Sequence, residues 1–193
     1  MRECETALGD MDSQRRGLHH LNTTTGNPHE PTANTMSNIL LMGVSGSGKT
    51  LIGQLLAERL QFDFIEGDHY HSAENVALMR SGTPLGDQQR LTWLETLADK
   101  LSKNHQAILA CSALKDRYRK LLLRECESCQ IVWLHASTAV LQQRIHNRDN
   151  HFFPPQLLSS QLDTLEPPED AIMVDSNTEP YLIVGEILQQ ISA

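Results

Sequence analysis

The chain has 193 residues, of which 39% are hydrophobic and 21% charged, with a formal net charge of -8 and a pI near 5.5. That length suits one catalytic domain with a full core, and no apolar run approaches the roughly 18 residues of a bilayer span, which excludes an integral helical membrane protein. The acidic balance also argues against a general nucleic-acid binder, which needs a basic face to neutralise phosphates.

Residues 1–36 carry Thr23-Thr24-Thr25, scattered histidines, Pro28 and Pro31 without apolar periodicity, and are predicted to be a disordered tail ahead of a domain over 37–193. The segment lacks the apolar centre of a secretory signal. Its acids Glu3, Glu5, Asp10, Asp12 and Glu30 speak against a mitochondrial transit peptide, so a cytoplasmic location is expected. Of the four cysteines, Cys4, Cys111, Cys126 and Cys129, the last two form a C-x-x-C with no second pair at zinc-site spacing. Reduced thiols are expected, with Cys111 a small core residue.

From Asn38 onward, apolar strands alternate with helical patterns, the signature of an α/β fold whose parallel sheet is covered by helices on both faces. Strands are predicted near 38–43, 62–66, 106–111, 130–135 and 171–175. Helices are predicted near 48–60, 72–80, 87–103, 114–125, 137–147, 155–164 and 179–191. In the first helix, Leu51, Leu55, Leu56 and Leu60 have the spacing of a buried stripe.

The first strand runs into Gly43-Val44-Ser45-Gly46-Ser47-Gly48-Lys49-Thr50, which matches G-x-x-x-x-G-K-[ST] in the strand-then-helix context of a phosphate-binding P-loop. Glycines let the backbone close around an anion with its N–H groups pointing inward, and the helix that follows adds the positive end of its dipole. Lys49 is placed to reach the terminal phosphates of ATP, and the Thr50 hydroxyl to ligate Mg2+.

The second strand ends in Glu66-Gly67-Asp68. Ligands of open α/β sheets sit at the carboxyl ends of strands, and the i, i+2 spacing of a strand puts both acids on one face. Glu66 is assigned to a metal-bound water. Asp68 is assigned to the acceptor hydroxyl, whose proton it takes. His69 and Tyr70 are read as structural. After the third strand, Lys115 and Arg119 are four apart and are expected to share a helix face toward an anionic substrate, whereas Arg117, Lys120 and Arg124 read as ordinary helix surface. Beyond the fourth strand, Arg144 and Arg148 are spaced to close over ATP and stabilise charge on the transferring phosphoryl group.

Taken together, these residues resemble the gluconate kinases of the shikimate-kinase-like branch of P-loop kinases. The resemblance covers nearly all of 38–191 and rests on the P-loop, on Gly67-Asp68 with His71 and Asn75, and on Met79. It continues through Ser81-Gly82-Thr83-Pro84-Leu85 with Asp87, Arg90, Trp93 and Leu94, and through Ala110-Cys111-Ser112-Ala113-Leu114-Lys115 with Tyr118-Arg119. It ends with Arg148, His151-Phe152-Phe153 and Gln161-Leu162-Asp163-Thr164-Leu165-Glu166. It implies a five-stranded parallel sheet in the order 2-3-1-4-5, a mobile lid around 148–154 and a homodimer. The implied reaction moves the ATP γ-phosphate to the 6-hydroxyl of D-gluconate. Asp68, His71, Arg90, Lys115 and Arg119 are then candidate substrate contacts, Lys49, Asp68 and Arg148 the catalytic set, and Arg144 and Arg148 the lid arginines. The chain departs from the family pattern at Glu66, where an aspartate is usual, at Ser72 in place of proline, at Gln89 in place of a second acid, and at Thr92. Two alternatives stand beside this reading: a kinase of the same fold acting on another small acid such as shikimate, and a nucleotide-binding protein without turnover.

Overall fold

A computed structural model describes residues 38–147 and 155–192, all within the compact unit 35–193. The expected tail, Arg148, Cys4 and the 148–154 segment lie outside the described residues. Among the described residues five strands, β1 (Asn38–Met42), β2 (Asp63–Glu66), β3 (Ala107–Ala110), β4 (Cys129–His135) and β5 (Ile172–Asp175), form one parallel sheet in the order β2-β3-β1-β4-β5. Among the described residues seven α-helices connect or follow them: α1 (Lys49–Leu60), α2 (Ala73–Arg80), α3 (Asp87–Ser102), α4 (Asp116–Leu123), α5 (Thr138–His146), α6 (Pro155–Thr164) and α7 (Pro180–Ile191). The expected order and the alternation of strands and helices are both present.

β1 is the centre because its side chains are apolar on both faces. Leu40 and Met42 join Trp93, Leu94, Leu97 and Leu101 of α3 in one core layer, while Ile39 and Leu41 join Ile52, Leu56, Ile183 and Ile187 of α1 and α7 in the other. Asn38 starts this strand buried, and its side chain is fully used: Nδ2 donates to the carbonyls of Leu101 and Asn104, and Oδ1 accepts from the Ala107 N–H. A buried amide satisfied in this way fixes where β3 enters the sheet.

Two expectations about α1 and the second strand need correction. Of the expected stripe, Leu56 is buried and Leu55 and Leu60 pack partly buried against the core, but Leu51 is 50% exposed; the fully buried face of α1 is Ile52, Gly53, Leu56 and Ala57. The helix lies so close to the sheet that a Cβ at Gly53 would sit 2.4 Å from the Phe64 ring, which turns Gly53 inward and Leu51 out. At the end of β2 the chain leaves extended geometry at Glu66 and makes a single 3-10 turn over Gly67–Tyr70, so Glu66 and Asp68 are not on one strand face. They are neighbours because the Asp68 N–H donates to Glu66 Oε1 at 3.5 Å across that turn.

Candidate active site

The carboxyl ends of β2, β3 and β1, adjacent in the sheet, bring three loops to one edge. Central among them is the phosphate loop. Gly43, Gly46 and Gly48 have φ of 147°, 84° and 96°, and a Cβ at Gly43 would lie 2.5 Å from the Leu134 carbonyl. Only glycine meets both demands. Val44 is buried, and its carbonyl accepts from the Ser47 N–H at 3.2 Å and from Lys49 Nζ at 3.1 Å, so the lysine lies folded over the loop. Ser47 is fully buried and its hydroxyl has no hydrogen-bond partner among the described residues. The Ser45 N–H donates to Gln161 Oε1 at 2.7 Å, and Arg144 Nη1 reaches the Gly46 carbonyl at 3.4 Å.

Thr50 and Glu66 come together at the end of β2: the threonine hydroxyl donates to Glu66 Oε2 at 2.7 Å. Two exposed oxygen donors next to a phosphate loop suit a hard divalent cation, which takes few protein ligands and relies on substrate phosphates for the rest. The residues therefore fit Mg2+, held by the Thr50 hydroxyl with Glu66 behind it.

Asp68 is open to solvent, 77% exposed, with His71 Nε2 3.9 Å from its Oδ1. His71 itself is buried. It stacks on Trp93 at 4.1 Å between ring centres and an 18° interplanar angle, and its Nδ1 has no hydrogen-bond partner among the described residues. Burial lowers its pKa most, with Asp68 opposing and Arg90 reinforcing that shift. Trp93 in turn donates from Nε1 to the Gly67 carbonyl at 2.8 Å. His71 thus forms the wall behind Asp68.

A cationic lobe stands on α3 and α4. Tyr118, Lys115 and Arg117 all converge on the Asp87 carboxylate, the lysine at 3.1 Å, and these hydrogen bonds hold Asp87 well below the usual carboxylate range. The Arg90, Lys115 and Arg117 cations lie 5.6–5.9 Å from the Tyr118 ring centre, a cation–π arrangement. Arg90 Nε also donates to the Leu85 carbonyl at 3.1 Å. Two of these cations contact the Asp87 carboxylate and Arg90 does not, so three positive charges against one negative leave the lobe with a positive balance. Arg117, read as ordinary surface from the sequence, belongs to this lobe.

Lys115 and Arg119 do not share a helix face. Lys115 precedes α4 in extended geometry, and Arg119 is buried, donating from Nη1 to the carbonyls of Ala113 and Leu114 at 3.1 Å each. It holds the loop that Ala113 enters with φ of 45°, a left-handed conformation rare for alanine. Lys120 and Arg124 pair locally with Asp116 and Glu125. Arg144 is not turned to solvent: besides Gly46 it donates to the Ser176 hydroxyl at 3.2 Å and to the Ser176 carbonyl, tying α5 to the end of β5. Cys111 and Cys129 are pushed up to about 12, in both cases mainly by burial, so neither thiol ionises near neutrality. Among the described residues no group of three or more His, Cys, Asp or Glu is placed to hold a metal.

Asp87, Tyr118, Trp93 and Gln161 acquire contacts here that the sequence reading did not assign. Their signal was membership in the motif runs; their partners lie on other elements and have no sequence spacing to reveal them.

Residues 45–191 match the shikimate kinase family. The chain is 42% identical over 171 residues to a probable gluconokinase of Xenopus tropicalis, a match covering 77% of this chain and 90% of that one. A crystal structure of a gluconokinase from Sinorhizobium meliloti 1021 superposes with a TM-score of 0.77 at 39% identity, covering 82% of this chain and 93% of that one. Shikimate kinase from Acinetobacter baumannii, solved in complex with shikimate, superposes with a TM-score of 0.56 at 21% identity over 82% and 94% of the two chains, a likeness of fold alone.

Proposed function

The chain belongs to the gluconokinase family of ATP-dependent kinases, and we propose on that premise that it transfers the ATP γ-phosphate to the 6-hydroxyl of D-gluconate, releasing ADP and 6-phospho-D-gluconate. The observation that carries the reading is the cationic lobe of Arg90, Lys115 and Arg117 around Tyr118, on the same sheet edge as the phosphate loop. A cluster of guanidinium and ammonium groups suits the carboxylate of a sugar acid, the arginine as a planar fork and the lysine as a point charge.

In this reading Gly43, Val44, Ser45, Gly46, Ser47, Gly48, Lys49 and Thr50 form the triphosphate site; Lys49 and the loop's remaining backbone N–H groups take its charge, while the Ser45 and Ser47 N–H groups, bonded to Gln161 and to the Val44 carbonyl, hold the loop's shape. Asp68 accepts a hydrogen bond from the acceptor hydroxyl. As the hydroxyl oxygen bonds to the γ-phosphorus and the bond to the β-phosphate oxygen breaks, the hydroxyl proton passes to the Asp68 carboxylate. The open position of Asp68 leaves room for an acceptor. Mg2+, which the Thr50 hydroxyl with Glu66 behind it would hold, would neutralise phosphate charge. Arg90 and Lys115 bind the acceptor carboxylate, and substrate competes with Asp87 for Lys115. His71 and Arg119 support the acceptor site from behind through Trp93 and through the Ala113–Leu114 carbonyls. Arg144 supports the phosphate loop, and Arg148 completes the ATP site. The reading includes a cytoplasmic homodimer without nucleic-acid or membrane partners. No described helix is long and apolar enough to cross a membrane.

A second reading, a kinase for shikimate or another small acid, draws on the family match over 45–191. The test is ADP release from Mg-ATP with D-gluconate, shikimate, other sugar acids or no acceptor. Stimulation by gluconate alone is expected. Stimulation by shikimate instead would move the substrate, and ATP binding without stimulation by any acid would favour a protein lacking turnover. In the same assay Asp68→Asn is expected to lower kcat by roughly 10²–10⁴, the usual contribution of a general base, with ATP affinity nearly unchanged.

A further inference from the structure

Ser45 is the third residue of the phosphate loop, yet its N–H is taken by a side chain 116 positions away, Oε1 of Gln161 at 2.7 Å. A backbone N–H requires an acceptor, so the oxygen end of the amide faces the loop. Gln161 lies half-buried on α6, and that helix is fixed against the loop by packing as well. Leu158 and Leu162, on either side of Gln161 on the helix, join Val44, Leu114 and Leu141 in one apolar cluster. On the other side of the loop Arg144 of α5 donates to the Gly46 carbonyl. The Val44–Gly46 shoulder is therefore held by two side chains from different helices, one accepting at Ser45 and one donating at Gly46.

The same segment also grips the acceptor side. Just past α6, the Glu166 N–H donates to the Leu114 carbonyl at 2.9 Å, and Glu166 Oε2 accepts from the Asp116 N–H at 2.7 Å. Those contacts flank Lys115. One short segment thus touches the loop that binds phosphate and the loop that carries the acceptor-site lysine, and Gln161 is its polar contact with the first.

The geometry points to Gln161 as a positioning residue for ATP: by holding the Ser45 N–H it keeps the phosphate loop in its binding curvature before nucleotide arrives. A loop that must be ordered during binding loses affinity to that ordering, and a preformed one does not. The inference rests on the kinase reading only in taking ATP as the ligand.

Calorimetric titration of the full chain with Mg-ATP, without acceptor, tests it on wild type, Gln161→Leu and Gln161→Glu. Leucine keeps similar bulk and removes the acceptor; glutamate keeps an acceptor, and because salt screens a half-buried charge only in part, its repulsion of phosphate is separated by titrating each protein from about 0.1 to about 0.5 M salt. Gln161→Leu is expected to weaken ATP binding roughly tenfold, the equivalent of one hydrogen bond's free energy, at every salt concentration, while the affinity of Gln161→Glu, extrapolated to high salt, stays within about threefold of wild type. The melting temperature of unliganded Gln161→Leu should fall by only a few degrees, and titration is run well below it. ATP binding by Gln161→Leu within twofold of wild type, or equal losses in both variants, would overturn the role. Because no acceptor is present, the outcome is independent of which acid the turnover panel selects.

Discussion

His71 shows at the scale of one residue how burial sets chemistry. Its ring is sandwiched against Trp93, and the three charged or polar influences on it do not balance: desolvation and the Arg90 cation both disfavour the imidazolium, and only Asp68 favours it. The folded protein therefore holds His71 neutral below its ordinary value of 6.5, at which the unfolded chain takes up a proton. Between the lowered folded value and 6.5 the unfolded state binds more protons, so stability rises with pH through that window. It is fully present above 6.5 and is lost as pH falls. The melting temperature is expected to drop between pH 7.5 and 5.5, and His71→Gln, which cannot titrate, should show a shallower drop. Equal slopes for the two proteins would remove His71 as the cause. Arg119 carries the opposite lesson for reading sequences. Its i+4 spacing from Lys115 suggested a shared helix face, but helical spacing has meaning only inside a helix. The left-handed turn at Ala113 delays α4 until Asp116. Alanine gives no warning of such a turn, so the loop could not be seen in the residues that form it.

At the scale of elements the strands were legible because each is a short apolar run ended by glycine, acid or polar residues, and the helices because serine caps and proline starts mark them. Ser72 caps α2 and Ser137 caps α5 by accepting from the N–H groups of Asn75 and Val140, and Pro180 opens α7. The phosphate loop was legible for a stronger reason: Gly43, Gly46 and Gly48 all have positive φ, and at Gly43 and Gly46 the close approach of backbone carbonyls leaves no room for a Cβ as well. What could not be read was which way α1 faces, since Leu51 and Ile52 are equally apolar and only the Phe64 ring decides between them. The connection after β2 depends on a similar close approach. A Cβ at Gly67 would lie 2.6 Å from the Ala110 carbonyl and 3.3 Å from Leu97, so the 3-10 turn carrying Asp68 can lie against β3 only without one. Gly67→Ala is expected to destabilise the protein by about 1–3 kcal/mol, the usual cost of overpacking, and to raise the acceptor KM by shifting Asp68. Gly185, inside α7 with nothing within 4 Å of its would-be Cβ, is the contrasting case. Gly185→Ala should stabilise by roughly 0.5–1 kcal/mol. Urea denaturation of both variants checks the pair, and opposite shifts in midpoint are required.

At the scale of the whole molecule, every contact described for catalysis falls between Asn38 and Ser176. Because the family match spans residues 45–191, removing residues 1–36 is expected to leave kcat/KM within about twofold and the melting temperature within a few degrees. A larger loss in a turnover assay would give that segment a role in the domain. The order β2-β3-β1-β4-β5 has a temporal consequence as well. β1 is buried along its whole length, and both of its partners come much later: Ile39 lies beside Ile108 and Leu41 beside Val132. During synthesis at roughly 5–20 residues per second, about 70 further residues must be made before the first partner exists and about 90 before the second, a wait of several seconds to nearly twenty. Once clear of the ribosome, Asn38-Ile39-Leu40-Leu41-Met42 has no strand partner until β3 and β4 follow it out, and nascent chains stalled after this segment has emerged but before residues 129–135 have are the species in which its capture by chaperones should be greatest.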